Sequence, residues 1–326
     1  MITETLDVVG IGNAIVDVLS QVEDEYLVRH GLEKSSMSLI DAEQSDRMYE
    51  SLEERIEVSG GSAANTIVGV VSFGGNGAFI GKVFDDDLGR TFSDDLRAAG
   101  VVFDTPMAVD GPSTARCLVN VTKDANRTMA TYLGASVGLR SEDVNVDTIA
   151  SAKITYLEGY LWDPPSAKEA FRRAMDIAHG AKRKVALSLS DSFCVERYRA
   201  EFRDLVRNGV DIVFANEQEL LALYEVKEIG EAITLIAKEC PISAITLGER
   251  GSVINVEGET FTISPESPTK LVDTTGAGDL YAAGFLYGCS QGMEWQACGR
   301  LGSLAASEVI SHFGARPKCE LSTFVS

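Results

Sequence analysis

Histidine is scarce: His30, His179 and His312 are the only three in 326 residues, each isolated in sequence, so a histidine-centred metal site or triad would have to be assembled by the fold. The six cysteines (Cys117, Cys194, Cys240, Cys289, Cys298, Cys319) are scattered and include no C-x-x-C pair, which removes the spacing signal of a zinc site or redox dithiol. Free buried thiols in a reducing cytosol are expected. Positive charge is short as well: 29 Lys and Arg stand against 49 Asp and Glu, for a net charge of -20. Non-specific binding to nucleic acid or to an anionic membrane rests on a basic surface, and neither is expected here. A small anion remains admissible, because screening beyond about 8 Å lets a local cationic pocket override the global field. No run reaches the roughly 18 apolar residues of a membrane span, and the N-terminal MITETLDVVGIGNAIVDV lacks the basic start and unbroken apolar core of a secretory signal. A soluble, cytoplasmic protein is the expectation.

Two nucleotide-binding signatures are also missing. After Gly10-Ile11-Gly12, Ile15 stands where a dinucleotide fingerprint needs its third glycine, and Val16–Val22 alternates like a strand where a helix should follow. Gly75–Lys82 (GNGAFIGK) is one residue too long for a P-loop, and Val83 replaces the required Ser or Thr. An oxidoreductase of the dinucleotide type and a Walker-type NTPase are thereby excluded.

What is present is a 45% hydrophobic chain with a sizeable core to bury and no internal repeat, low-complexity segment or long linker. Asp7–Gly12 reads as a buried strand, near-continuously apolar as parallel strands covered on both faces tend to be. Short strand patterns follow at 16–22 and 36–41, with Asp41 placed to cap a helix from Ala42 to about Leu52. Gly60-Gly61 reads as a turn and Ser62 as the cap of an apolar helix through Val71, in which Asn65 needs a hydrogen-bond partner. A further helix runs to about Ala99; the acidic Asp85-Asp86-Asp87 before it reads as a solvated helix start, with a metal role as the alternative. Ala115–Thr122 and Arg127–Leu133 alternate across a turn-rich joint and predict a hairpin. From Lys153 onward βα units repeat: strands at 154–157, 185–189 and 212–214 alternate with helices at 166–178, 195–207 and 217–224. That alternation means a parallel sheet with its site at the strands' C-terminal ends.

The most informative stretch is Lys270–Phe285, KLVDTTGAGDLYAAGF. A short β-like run (Leu271, Val272) gives way to a helical pattern, and the small residues between them predict a strand-to-helix turn. Gly276 and Gly278 allow unusual backbone angles and keep side chains away from the peptide N–H groups. Those groups have no partner within the helix, and the dipole adds partial positive charge, so they form a seat for an anion. Asp279 beside the seat either complements the dipole, which would keep it ionised and a weak base, or also accepts a proton from a hydroxyl that receives a phosphoryl group.

DTTGAGD with its small, apolar helix resembles the C-terminal signature of the ribokinase-like (PfkB) family of carbohydrate and nucleoside kinases, and the resemblance extends over nearly the whole chain. It implies a single kinase domain over 1–326: a three-layer α/β/α fold with a central, mainly parallel sheet and a small β-sheet lid from segments about 16–41 and 113–134. It implies ATP and Mg²⁺ as cofactors, a nucleoside or sugar as substrate, and a monomer or homodimer. In the family the aspartate matching Asp279 is the base, and the backbone of Gly276, Ala277 and Gly278 forms the anion hole. GNAIVDV places Asn13 and Asp17 on the substrate, as the G-G-S-x-x-N pattern does Gly61 and Asn65. The lid arginine matching Arg127 reaches the phosphates; Asn216 and Glu219 (N-x-x-E) belong to the magnesium and phosphate network; Thr246, Gly248 and Gly251 fit the T-x-G-x-x-G nucleotide loop. Asp273 and Thr275 match a loop that binds K⁺ in some relatives. The stretch around Phe193 is closer to adenosine kinases than to ribokinases, and the matching phenylalanine there stacks on a purine, with Tyr160 and Trp162 offering further flat surface. Tyr160-Leu161 departs from the paired phenylalanines of eukaryotic adenosine kinases, and DTTGAGD from their commoner DTNGAGD. Three readings follow: a kinase making a nucleoside 5′-monophosphate, adenosine foremost; a sugar kinase of the same fold; and a non-catalytic nucleotide-binding protein, against which the intact Asp279 speaks.

Overall fold

The computed structural model describes residues 5–124 and 126–325. The first strand, β1 (Leu6–Ile11), is buried along its whole length, as its unbroken apolar character requires. It sits inside an eight-stranded sheet with β5 (Gly77–Ile80), β8 (Ala152–Glu158), β9 (Lys184–Ser188), β10 (Ile212–Asn216), β11 (Ile242–Thr246), β12 (Ser252–Val256) and β13 (Glu259–Ile263). The order is β13-β12-β11-β10-β9-β8-β1-β5. Pairing is parallel from β5 to β11 and antiparallel across β11-β12-β13. Each parallel pair needs a crossover, and the crossover helices cover both faces. One apolar layer packs under the helices Ser62–Ser72, Ala277–Ser290 and Trp295–Val309, the other under Pro165–Gly180, Ser192–Asn208, Glu217–Tyr224 and Ile229–Glu239.

A second, five-stranded sheet stands apart, in the order β3-β7-β6-β2-β4. Its members are β2 (Ile15–Gln21), β3 (Met37–Leu39), β4 (Ile56–Gly60), β6 (Ala115–Val121) and β7 (Arg127–Tyr132). The predicted hairpin is β6-β7. The strand β4 was not legible, because Glu57 and Ser59 interrupt its apolar pattern and Gly60-Gly61 reads as a turn.

Two local expectations are corrected, and the acidic run is the helix start expected of it, with Asp85 and Asp87 exposed. Leu271 and Val272 form no strand: the segment is a loop held to the end of the Trp295–Val309 helix by Val272 N–H donating to the Ile310 carbonyl at 2.9 Å. Gly61, with φ of 92°, takes the cap position expected of Ser62, which frees the Ser62 hydroxyl for another use. Of the acidic run, Asp86 caps the helix from Asp87, accepting from Gly89 N–H at 2.8 Å, and it also accepts from the Thr114 hydroxyl and N–H. Among the described residues no group of three His, Cys, Asp or Glu side chains could hold a metal ion, and no helix is long and apolar enough to cross a membrane. All six cysteines are free; four are buried, but Cys289 is half-buried and Cys319 exposed, so the expectation of buried thiols fails for those two.

Candidate active site

Between the two sheets lies a cleft of about 1350 Å³. A single small ligand fills roughly 300–1000 Å³, so two can be accommodated side by side. Its floor follows from the parallel topology: Asn13 after β1, Glu158 ending β8, Ser188 ending β9, Asn216 ending β10 and Thr246 ending β11 all line it. Its roof is the face of the second sheet carrying Ile15, Asp17, Cys117, Val119, Met129 and Thr131.

The turn into a helix lies where the glycines predicted it. Gly276, in the left-handed region at φ of 80°, caps the Ala277–Ser290 helix, and a Cβ there would come within 2.7 Å of Ala315 Cα. In front of Gly278 the space is open. Asp279, in the first turn, lines the cleft and accepts from the Ser62 hydroxyl at 2.6 Å and from Asn65 Nδ2 at 3.2 Å. Asn65 thus finds its expected partner and is only 4% exposed. Burial outweighs these hydrogen bonds and pushes the Asp279 carboxyl up to about 6. The dipole does not keep it as weak a base as the sequence suggested: it is ionised at neutral pH and well matched to accept a proton there.

Asp17 faces the cleft from β2, flanked by Val58 on β4 and Cys117 on β6. Gly60 makes room for it, since a Cβ at Gly60 would lie 2.4 Å from Asp17 Oδ2. No described residue donates a hydrogen bond to its carboxylate. Burial raises Asp17 to about 6; Arg316 and then Arg127 oppose the shift, and Asp279 adds to it.

Asn13 is in the cleft wall but largely occupied: its N–H and Nδ2 both donate to Glu158 Oε1, and its Oδ1 accepts from Ser136 Oγ. Glu158, 1% exposed, also accepts from Ala63 N–H at 2.8 Å, and burial lifts it to about 7. Gly61 lines the cleft beside Asn13, whose carbonyl would lie 2.3 Å from a Gly61 Cβ. Gly61→Ala therefore forces both a clash and a left-handed backbone, and unfolding in urea should show a loss of at least about 2 kcal/mol.

Toward the other end, Asn216 and Glu219 form a reciprocal capping box in which both Glu219 oxygens accept from Asn216, and burial raises Glu219 to about 7. Thr246 lies beside Asn216 in the sheet register and lines the cleft. Gly248 and Gly251 instead shape the tight connection to β12; Gly251, at φ of 81°, is wedged against the Ile263 carbonyl. Arg127 reaches from β7 to form an ion pair with Asp273 and lies over the Phe313 ring at 4.9 Å. Asp273 is otherwise engaged by the Thr275 hydroxyl and N–H and by Gly314 N–H.

Of the aromatics, Phe193 is 41% exposed on the cleft wall, with the Tyr160 ring 6.3 Å away. Trp162 does not join them: it is buried against Phe171 and Phe202, and its indole N–H donates to Glu201. Sequence reasoning missed Ser62 as a partner of Asp279, and Glu158 and Arg316 altogether. An acid closing the apolar run Ile154–Leu157 was a usable signal for Glu158; Arg316, in a loop far along the chain, carried none.

An open α/β sheet with a glycine-capped helix N-terminus, a buried carboxylate beside it and a cleft roomy enough for two ligands is the setting of a phosphotransferase that acts on hydroxyl groups. The chain belongs to the pfkB family of carbohydrate kinases, whose sequence model matches residues 37–322. It is similar to an adenosine kinase from Sinorhizobium meliloti, at 50% identity over 98% of both chains with a TM-score of 0.91. It is equally similar to a probable sugar kinase from Rhizobium etli CFN 42, at 48% identity over 99% of this chain and 98% of that one, TM-score 0.92. An uncharacterized sugar kinase of Archaeoglobus fulgidus is 30% identical over 254 residues, 76% of this chain and 97% of its own length. The fold is ribokinase-like, as expected, and the non-catalytic reading falls with membership of a kinase family.

Proposed function

We propose that this protein is an ATP-dependent kinase of the 5′-hydroxyl of a nucleoside, with adenosine as the substrate and AMP as the product. The observation that carries this reading is Phe193: a large apolar ring left 41% exposed beside Tyr160, on the wall of a cleft that also holds Asp17 and Asn65. A planar base covers such a surface more completely than a free sugar does.

Asp17 accepts from the ribose hydroxyls, Asn65 and Gly61 line the same subsite, and the 5′-hydroxyl points at Asp279. Asp279 takes its proton as the oxygen bonds to the γ-phosphorus and the bond from that phosphorus to the β-phosphate oxygen breaks, so that ADP leaves; the N–H groups of Gly276 and Gly278 receive the transferred phosphoryl oxygens, that of Ala277 being engaged by the Thr274 carbonyl at 3.2 Å. ATP lies along Asn216 and Thr246. The donor set there, one buried carboxylate and an amide, suits Mg²⁺ held largely through its own water, with Glu219 and Asn216 as the anchors. Mg²⁺ bound there would neutralise charge on the phosphate oxygens. A K⁺ ion at Asp273 and Thr275 would share that carboxylate with Arg127. The second sheet acts as the lid, β4 included, and carries Arg127 to the phosphate end of the cleft.

A sugar kinase is the second reading, favoured by the hydrogen-bonding end of the cleft, where Glu158 and Asn13 meet, and by the 48% identical probable sugar kinase. ADP release from Mg-ATP with adenosine, inosine, ribose, fructose and fructose 6-phosphate in parallel decides between them. Turnover should be highest with adenosine; faster turnover on ribose would overturn the nucleoside reading. Phe193→Ala should weaken nucleoside binding by roughly 1–3 kcal/mol while leaving any activity on ribose unchanged.

A further inference from the structure

The loop after the Trp295–Val309 helix is tied to the anion seat at three points. Ile310 accepts from Val272 N–H, Gly314 N–H donates to Asp273 Oδ2 at 3.1 Å, and Ala315 packs against Gly276 with no space for a side chain between them. These contacts fix the next residue, Arg316, which lines the cleft. Its Nε donates to Asn65 Oδ1 at 3.3 Å, and its Nη2 is buried with no hydrogen-bond partner among the described residues. An amide whose oxygen accepts from a guanidinium can turn only its Nδ2 the other way, and Asn65 Nδ2 is the group that donates to Asp279. The chain Arg316–Asn65–Asp279 therefore runs in one direction, and reversing the amide would set donor against donor.

The same guanidinium is a buried cation in a cleft dominated by carboxylates. Desolvating a guanidinium is costly unless nearby negative charge compensates. The opposite charges that offset the desolvation are Asp17 and, more weakly, Asp95, whose carboxylate also accepts from Ser59 N–H. From the other side, Asp17 is faced by Arg316 and Arg127 as cations, by Asp279 as an anion and by the Cys117 thiol. Asp279 is faced by Ser62 and Asn65, with Glu158, Tyr156 and Tyr160 as its titratable neighbours.

We propose that Arg316 is a positioning residue: its Nε sets the amide orientation of Asn65 and through it the carboxylate of Asp279. The proposal rests on the reading of Asp279 as base. Two variants separate the donor geometry from the charge. Arg316→Met removes both the donor and the charge. Arg316→Lys keeps the charge and lacks the planar fork that reaches Asn65.

Steady-state kinetics across pH 5 to 9 test this, with circular dichroism and thermal unfolding used to confirm that each variant is folded. Arg316→Met should lower kcat by about tenfold or more, the scale of one hydrogen bond in a charged network, with the KM for ATP changed by no more than about twofold. Arg316→Lys should leave kcat as low as Arg316→Met does. In an Asn65→Ala background, Arg316→Met should lower kcat by no more than about a further threefold, because the group it acts through is gone. Multiplying losses in the double variant, parental kcat in a folded Arg316→Met, or parental kcat in Arg316→Lys would overturn the proposal. Asp279→Asn is assayed beside them: if that variant turns over normally the assignment of the base fails, whereas an inactive Asp279→Asn with multiplying losses at Arg316 and Asn65 sinks the positioning role alone.

Discussion

Asp279→Asn should lower kcat by about a hundredfold or more with little change in nucleotide affinity, since general-base assistance is typically worth that much and the anion seat itself is backbone. The seat does not depend on the carboxylate: Gly276 is held by its left-handed cap geometry and by Ala315. The pH profile gives a second reading of the same group. Burial places Asp279 at about 6, so in the parent protein it is ionised and competent above that pH and is protonated, and lost as a base, as pH falls through it. An acid limb near pH 6 in kcat is expected for the parent and should be absent from the residual rate of Asp279→Asn. Near-normal turnover in the variant would remove Asp279 from the chemistry.

Asp17→Ala should lower kcat/KM for adenosine by at least about tenfold and up to several hundredfold, because hydrogen bonds to a charged group are strong and their loss also frees the substrate to misalign. What motivates the prediction is a carboxylate facing the cleft with no hydrogen-bond donor among the described residues, which leaves it free to accept from a ligand. With 2′-deoxyadenosine the loss should be smaller, since one of the hydrogen bonds is already missing. Equal losses on both substrates would show that Asp17 does not meet the 2′-hydroxyl. Stability carries an independent signature. Asp17 is raised from an ordinary 3.8 to about 6, so the folded state binds the proton more tightly than the unfolded one. Its ionised form therefore costs stability above pH 6, and the cost fades as pH falls through 6 toward 4. Asp17→Asn should accordingly raise the melting temperature at pH 8 and not at pH 4. A variant no more stable at pH 8 than the parent would show that the buried charge is compensated in the fold.

The features legible without the fold were those whose cause is local. Periodicity and caps are set within a few residues, so the parallel strands near Val9, Thr155 and Phe214, the Asp41 cap and the β6-β7 hairpin follow from the chain alone. The glycines that open the anion seat are likewise a local demand of backbone angle. Asp17 was reached through the GNAIVDV resemblance, and its place as an acid among apolar neighbours agrees with that. The family's motifs then ordered these residues into one site.

Only the tertiary structure decided what each polar group would face. Ser62 and Asn65 reach Asp279 across more than two hundred residues, and Arg316 meets Asn65 across 251; no spacing rule covers such distances. Whether an aromatic serves the core or the cleft was equally unreadable, since Phe193 and Trp162 both follow strands, yet one is exposed on the wall and the other sealed against Phe171 and Phe202. The same holds for the basicity of the site: the helix dipole suggests a weakly basic Asp279, while burial between two sheets moves both it and Asp17 to about 6. Desolvation depends on everything packed around a group, and that is a property of the assembled sheets and loops, not of the residues beside it in the chain.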